Sequence, residues 1–180
     1  MADLKRLLED ASVDSSSKYT LRSVDSIEEE IRSSLLKLLE RGGKSKAALR
    51  DALVAKEYQP ELVDQLLQRF VEVGLIDDFT LARDIAIDLV NRKAKAKKLI
   101  AIELKQKGFE TEAIQAALAE LDQEKELEQA RELALSKMQR MLSLEVSVRE
   151  RRVAGFLSRK GYSGSVVWDA VRFATEELAK

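Results

Sequence analysis

The same spacing of apolar residues about an aromatic recurs three times along this chain, centred on Tyr58, Phe109 and Tyr162. Phe109 follows Tyr58 by 51 residues, and Tyr162 follows Phe109 by 53. Nine positions before each aromatic stand Leu49, Ile100 and Val153, and five before it stand Leu53, Leu104 and Leu157. Downstream the pattern continues with Val63, Ile114 and Val167, then Leu66, Ala117 and Ala170, then Leu67, Leu118 and Val171. A period near fifty residues marks an array of supersecondary units, each too small to bury its apolar face alone.

Steps of three and four residues put side chains on one face of a helix, so each copy reads as helix, tight turn, helix, with the aromatic in the turn. The turns Lys107-Gly108-Phe109 and Lys160-Gly161-Tyr162 carry the glycine that ends a helix in a left-handed conformation. The first copy has Glu57 there, followed by Pro60, which suits the first turn of the next helix. A further amphipathic stretch precedes each pair: Ile27 to Arg41 behind a capping box of Ser26 and Glu29, Phe79 to Lys93 behind Asp77 and Asp78, and Glu124 to Leu142. Ser45 is placed to cap the helix after Gly42-Gly43. One short alternating run, Leu144 to Val148, could read as a strand, but Ser147 followed by Glu150 reads better as a capping box opening a helix.

The expected fold is therefore all-α: three tandem three-helix repeats, over residues 26–76, 77–122 and 123–180, forming an elongated, curved array behind a flexible arm of residues 1–25. The arm has room for one short helix, Leu4 to Asp10. Leu53, Leu104 and Leu157, with Tyr58, Phe109 and Tyr162, are the expected core anchors of the repeats. For Trp168 an interfacial place and for Phe173 an exposed one are open, with core packing the default expectation for both.

With neither cysteine nor histidine, the chain lacks thiolate ligands, a cysteine nucleophile and the commonest general base. No glycine-rich phosphate loop is present, so we expect no enzyme, no catalytic residues, no metal and no cofactor. Asp77 and Asp78 read as helix-capping carboxylates, since adjacent positions diverge and no third ligand is evident. Nothing in the chain resembles a signal peptide or a membrane span, which suggests a cytoplasmic protein without membrane contact, expected as a monomer.

The net charge is only −1, but its parts are segregated. From Arg92 to Lys107 stand Arg92, Lys93, Lys95, Lys97, Lys98, Lys105 and Lys107 against one acid, Glu103. On a helical wheel Ala96, Leu99, Ile100 and Leu104 face inward, and Lys95, Lys98 and Lys105 project from the other side. A second basic cluster, Arg149, Arg151, Arg152, Arg159 and Lys160 against Glu150, falls on the equivalent helix of the third repeat. A lysine-rich helix face is ordinarily just solvated, and the recurrence at matched positions is what suggests a shared binding surface. The acidic run from Glu110 to Glu128 is more simply explained by carboxylates favouring helix starts.

In this order the repeats resemble the RecX family. The resemblance rests on Leu38-Leu39-Glu40-Arg41 and Lys44-Ser45 of the first repeat and on its closing Gly74-Leu75-Ile76-Asp77-Asp78, with Phe79 and Ala82-Arg83. It continues in Glu103-Leu104-Lys105-Gln106-Lys107-Gly108-Phe109 and in Phe156-Leu157-Ser158-Arg159-Lys160-Gly161-Tyr162. It covers roughly Ser26 to Lys180, and departs where many members have a glycine but this chain has Ala94-Lys95. The resemblance implies a partner, the RecA filament on single-stranded DNA, and inhibition of its ATP hydrolysis, strand exchange and co-protease activity. Arg92, Lys93, Lys95, Lys97, Lys98, Lys105, Arg149, Arg151, Arg152 and Arg159 would then make polar contacts to RecA or to DNA phosphate, along the concave face of the array. A helical module that binds DNA directly, without RecA, is the alternative, and it would show steep salt dependence.

Overall fold

The structure, a computed structural model, describes residues 24–180. Residues 1–23, nearly all of the expected arm and its short helix, lie outside the described residues. Among the described residues there are nine helices and no strand: α1 Val24–Glu40, α2 Lys46–Val54, α3 Pro60–Glu72, α4 Asp78–Lys93, α5 Lys97–Gln106, α6 Thr111–Ala119, α7 Gln123–Gln139, α8 Val146–Arg159 and α9 Gly164–Glu177. None is long and apolar enough to cross a membrane.

The helices fall into three consecutive trios, each around its own core. In the first, Ile31 and Leu35 of α1 meet Leu49 and Leu53 of α2 and Val63, Leu66, Leu67 and Phe70 of α3. In the second and third trios the outer helices pack through alanines one turn apart. Ala82 and Ala86 of α4 lie against α6 with Ala113 and Ala117, and Ala130 and Ala134 of α7 lie against α9 with Ala170 and Ala174. Small side chains let these helix pairs approach closely, and α7 with α9 and α4 with α6 make the most extensive contacts between elements. Leu53, Leu104 and Leu157 are fully buried, each contributing about 1.5–3 kcal/mol by transfer from water. Phe109 and Tyr162 are buried too, while Tyr58 is half-buried and bonds through its hydroxyl to Ser34 Oγ.

Several expected caps fall elsewhere. α1 begins at Val24, so Ser26 lies within the helix rather than before it. α8 begins at Val146 with Glu145 at its cap position, leaving Ser147 inside. Glu150, the other half of that expected box, accepts from the Thr175 hydroxyl instead. A helix runs upstream as far as the backbone allows, and a serine with a glutamate three residues on does not by itself stop it. Where the caps do match the sequence, their bonds are explicit. Ser45 Oγ accepts from the Ala48 amide, and Asp77 accepts from the amides of Phe79 and Thr80. Asp78 caps a different helix: its carboxylate accepts from the Lys46 amide at the start of α2, at 2.9 Å.

Neighbouring trios meet through one recurring joint. The residue before the middle helix of one trio touches the Lys-Gly turn of the next. At the first joint Ser45 Oγ donates to the Lys107 carbonyl at 2.6 Å. At the second the Ala96 amide donates to the Lys160 carbonyl at 3.0 Å, with Ala96 standing where Ser45 stands in the repeat alignment. Gly108 and Gly161 have φ +82° and +90°, and a Cβ at either would meet the preceding trio: Ser45 Oγ at 3.0 Å for Gly108, the Leu99 Cβ at 2.7 Å for Gly161. Glu57 takes the same left-handed conformation, φ 66°, and is exposed. Glycine is thus favoured twice over at the second and third turns, by conformation and by space, whereas at the first turn, where Glu57 stands, conformation alone would favour it.

Candidate functional site: a basic surface at the second joint

The cations expected to form one surface divide into two groups. Lys95 does not project: it pairs with Glu103, both side chains being about one-fifth exposed, and the ammonium holds the Glu103 carboxyl below the usual carboxylate range. Lys97 is turned the other way, its ammonium donating to the Leu121 carbonyl at the end of the second trio. Arg92 pairs with Asp88 one turn back on α4, and Lys93 lies beside Asp84, Asp88 and Glu103 in a mixed-charge hollow. Arg149 is only partly exposed, with its Nε buried and without a hydrogen-bond partner.

The remaining cations converge. Lys98 and Lys105, seven residues apart, share the outer face of α5 with Ile102, which is 45% exposed. Lys98 and Arg159 line a single cleft across the second joint, floored by Leu99, Gly161 and Tyr162. Arg159 also lines a hollow of about 420 Å³ between α7 and α8, together with Lys137, Arg151 and Arg152 and with no carboxylate. Gly155 lies on the floor of that hollow, and the Arg159 guanidinium passes 3.5 Å from where its Cβ would be. Phe156 is held between ammonium groups, Lys137 at 5.2 Å and Lys160 at 5.5 Å from its ring centre. The result is a cationic strip from Arg151 and Arg152 through Arg159 to Lys98. Lys137 belongs to it, from the last turn of α7, a helix whose first turn is acidic.

Tyr162 fixes this joint from below. Its hydroxyl lies 3.1 Å from Gln129 Oε1 and 3.3 Å from the Ala94 carbonyl, and Lys160 Nζ donates to the Lys93 carbonyl. Burial, reinforced by the charge of Glu126, pushes the Tyr162 phenol up to about 12. Ala94 has φ 47°, the left-handed conformation that a glycine would take without cost. Trp168 does not pack in the core, being 63% exposed on α9, and Phe173 is half-buried under the Arg131 guanidinium. Among the described residues, no group of three acidic side chains converges to hold a metal ion.

Comparison with known proteins decides the lineage. The chain is 38% identical to regulatory protein RecX of Streptomyces lividans over 149 residues, covering 83% of this chain and 79% of that one. It belongs to the RecX family. The RecX of Streptomyces coelicolor is 37% identical over the same extent, and that of Thermobifida fusca 33% identical over 82% of this chain and 78% of the relative. Residues 124–171, from α7 into α9, match the family model described as RecX, third three-helix domain. The crystal structure of RecX from Lactobacillus salivarius superposes with a TM-score of 0.79 at 16% identity, covering 84% of this chain and 99% of that one. A second RecX crystal structure gives a TM-score of 0.70 at 23% identity, covering 90% of this chain and 82% of that one. Both share the all-helical fold.

Proposed function

We propose that this chain is a cytoplasmic regulator that binds the RecA filament on single-stranded DNA as a monomer and inhibits its ATP hydrolysis, strand exchange and co-protease activity. The observation that carries the reading is membership of the RecX family across 83% of the chain, among relatives named regulatory protein RecX. The basic strip at the second joint supports it. Lys98, Lys105, Arg151, Arg152 and Arg159, with Lys137, offer cations to phosphates or to acidic filament surfaces, and arginine adds a planar fork for either anion. Regulation in this reading is by occupancy, and the chain supplies contacts rather than chemistry. The test is single-stranded-DNA-dependent ATP hydrolysis by the cognate RecA, titrated with this protein. Inhibition at sub-stoichiometric ratios is expected, whereas no inhibition together with no filament binding would refute the reading.

A further inference from the structure

Three large apolar side chains stand in solvent where α3 passes into α4: Val73 at 70% exposure, Leu75 at 56% and Phe79 at 57%. Local structure accounts for none of them. α3 ends in a turn with Gly74 at φ +73°, in which the amides of Leu75 and Ile76 both donate to the Phe70 carbonyl. In such a turn the residue after the glycine usually packs back on the helix, but here Ile76 takes the buried place and Leu75 is left outside. Ile76 also occupies the position before the Asp77 cap, so the apolar staple of α4 does not need Phe79 either. Phe79 is the second residue of α4, and the second residue of α7 is Glu124, an exposed carboxylate of the kind the first turn favours. Phenylalanine at this position gains nothing from the helix it starts.

Beside this ledge lies a hollow of about 330 Å³, floored by Ile76, walled by Phe79 and rimmed by Asp77, Asp78 and Glu110, against one ammonium, that of Lys46. Lys46 Nζ points to Gln68 Oε1 on α3. Asp78 is partly desolvated and feels the charge of Glu110, which together push its carboxyl above the usual range, so a cation arriving here relieves both. The first joint is thus apolar and acidic, where the second is basic. Exposed apolar clusters with a charged rim are the usual form of a protein docking site.

We infer that the Val73–Leu75–Phe79 ledge is a docking surface for a protein segment that presents an apolar side chain next to a lysine or arginine. The assignment rests on the reading above, in which that segment belongs to the RecA protomers of the filament. The full-length chain and its Leu75→Ser/Phe79→Ser and Glu110→Lys variants are to be cosedimented with RecA filaments assembled on oligo-dT, with thermal unfolding followed in parallel. Both variants are expected to bind about tenfold more weakly or worse, and the double variant to keep its unfolding midpoint, since the side chains removed are exposed. Wild-type binding that the double variant matches overturns the ledge and leaves the function standing. No binding by the wild type removes the function reading and this partner together. Self-association of the wild type that the same substitutions abolish would overturn the assignment in favour of a second copy of this chain.

Discussion

The Ser45 hydroxyl donates to the Lys107 carbonyl at 2.6 Å while accepting from the Ala48 amide, so one buried side chain both caps α2 and locks the second repeat to the first. Removing it as Ser45→Ala costs about 1 kcal/mol for the cap and about 0.5–1.5 kcal/mol for the lost hydrogen bond to the Lys107 carbonyl. Ser45→Asp separates the two roles. Aspartate caps as well as serine, but an ionised carboxylate offers no proton to Lys107 and would face its carbonyl oxygen. Urea unfolding should show both variants clearly destabilised, with Asp no better than Ala. An Asp variant as stable as the parent would mean that the joint contributes nothing.

The three turns predict an order among glycine substitutions. Gly161→Ala incurs both the left-handed backbone penalty and a Cβ driven against Leu99, so a loss above about 2 kcal/mol is expected. Gly108→Ala should cost less, because its Cβ would come no nearer than 3.0 Å to the Ser45 hydroxyl, whereas that of Gly161 would stand 2.7 Å from the Leu99 Cβ and 3.1 Å from the Leu99 amide nitrogen. Glu57→Gly should go the other way and stabilise by about 0.5–1 kcal/mol, since it relieves a positive φ and removes no buried contact. Denaturant midpoints at equal m-values decide the ranking.

How far the sequence reaches is visible in these same residues. The core anchors Leu53, Leu104 and Leu157 follow from helical period alone, because burial of a stripe three and four residues apart is a local property of a helix. The basic surface was only half legible. A wheel places Lys95 outside, but Lys95 precedes α5 and folds back to Glu103 eight positions on, a pairing no helical rule encodes. Lys97 is spent on a carbonyl 24 residues away, and Lys137 joins the strip only because α7 packs against α8. The exposure of Leu75 and Phe79 was equally hidden, since it depends on Ile76 winning the one buried place at the end of α3. Local period writes the cores, and the surface is settled by which trios touch.

Tyr162 provides a pH test of the second joint. Its phenol is raised to about 12 in the folded chain from an ordinary value near 10, so the folded state holds its proton more tightly than the unfolded one. Stability from this group is fully present below about pH 10 and is lost as pH rises from there toward about 12. Tyr162→Phe abolishes that dependence and costs about 1 kcal/mol at neutral pH through the lost hydroxyl bonds. Unfolding midpoints of the two proteins, compared at pH 8 and about 11, should converge at the higher pH. A constant difference would place the alkaline loss elsewhere.

Charge reversal on the basic surface has to respect which cations are already spent. Lys95→Glu sets a second carboxylate against Glu103, so any effect it has on filament inhibition is confounded by a weaker α4–α5 connection. Lys98→Glu with Arg159→Glu changes two cations that line the same cleft and touch no partner carboxylate there. If the strip carries the polar contacts, the Lys98/Arg159 double reversal should raise the concentration needed for half-inhibition of RecA ATP hydrolysis at least tenfold, with an unchanged circular dichroism melt. The Arg92→Glu variant, whose guanidinium already belongs to Asp88, should behave as wild type in that assay. Equal loss from all three variants would indicate a response to net charge, and the contact surface would then have to be sought away from the second joint.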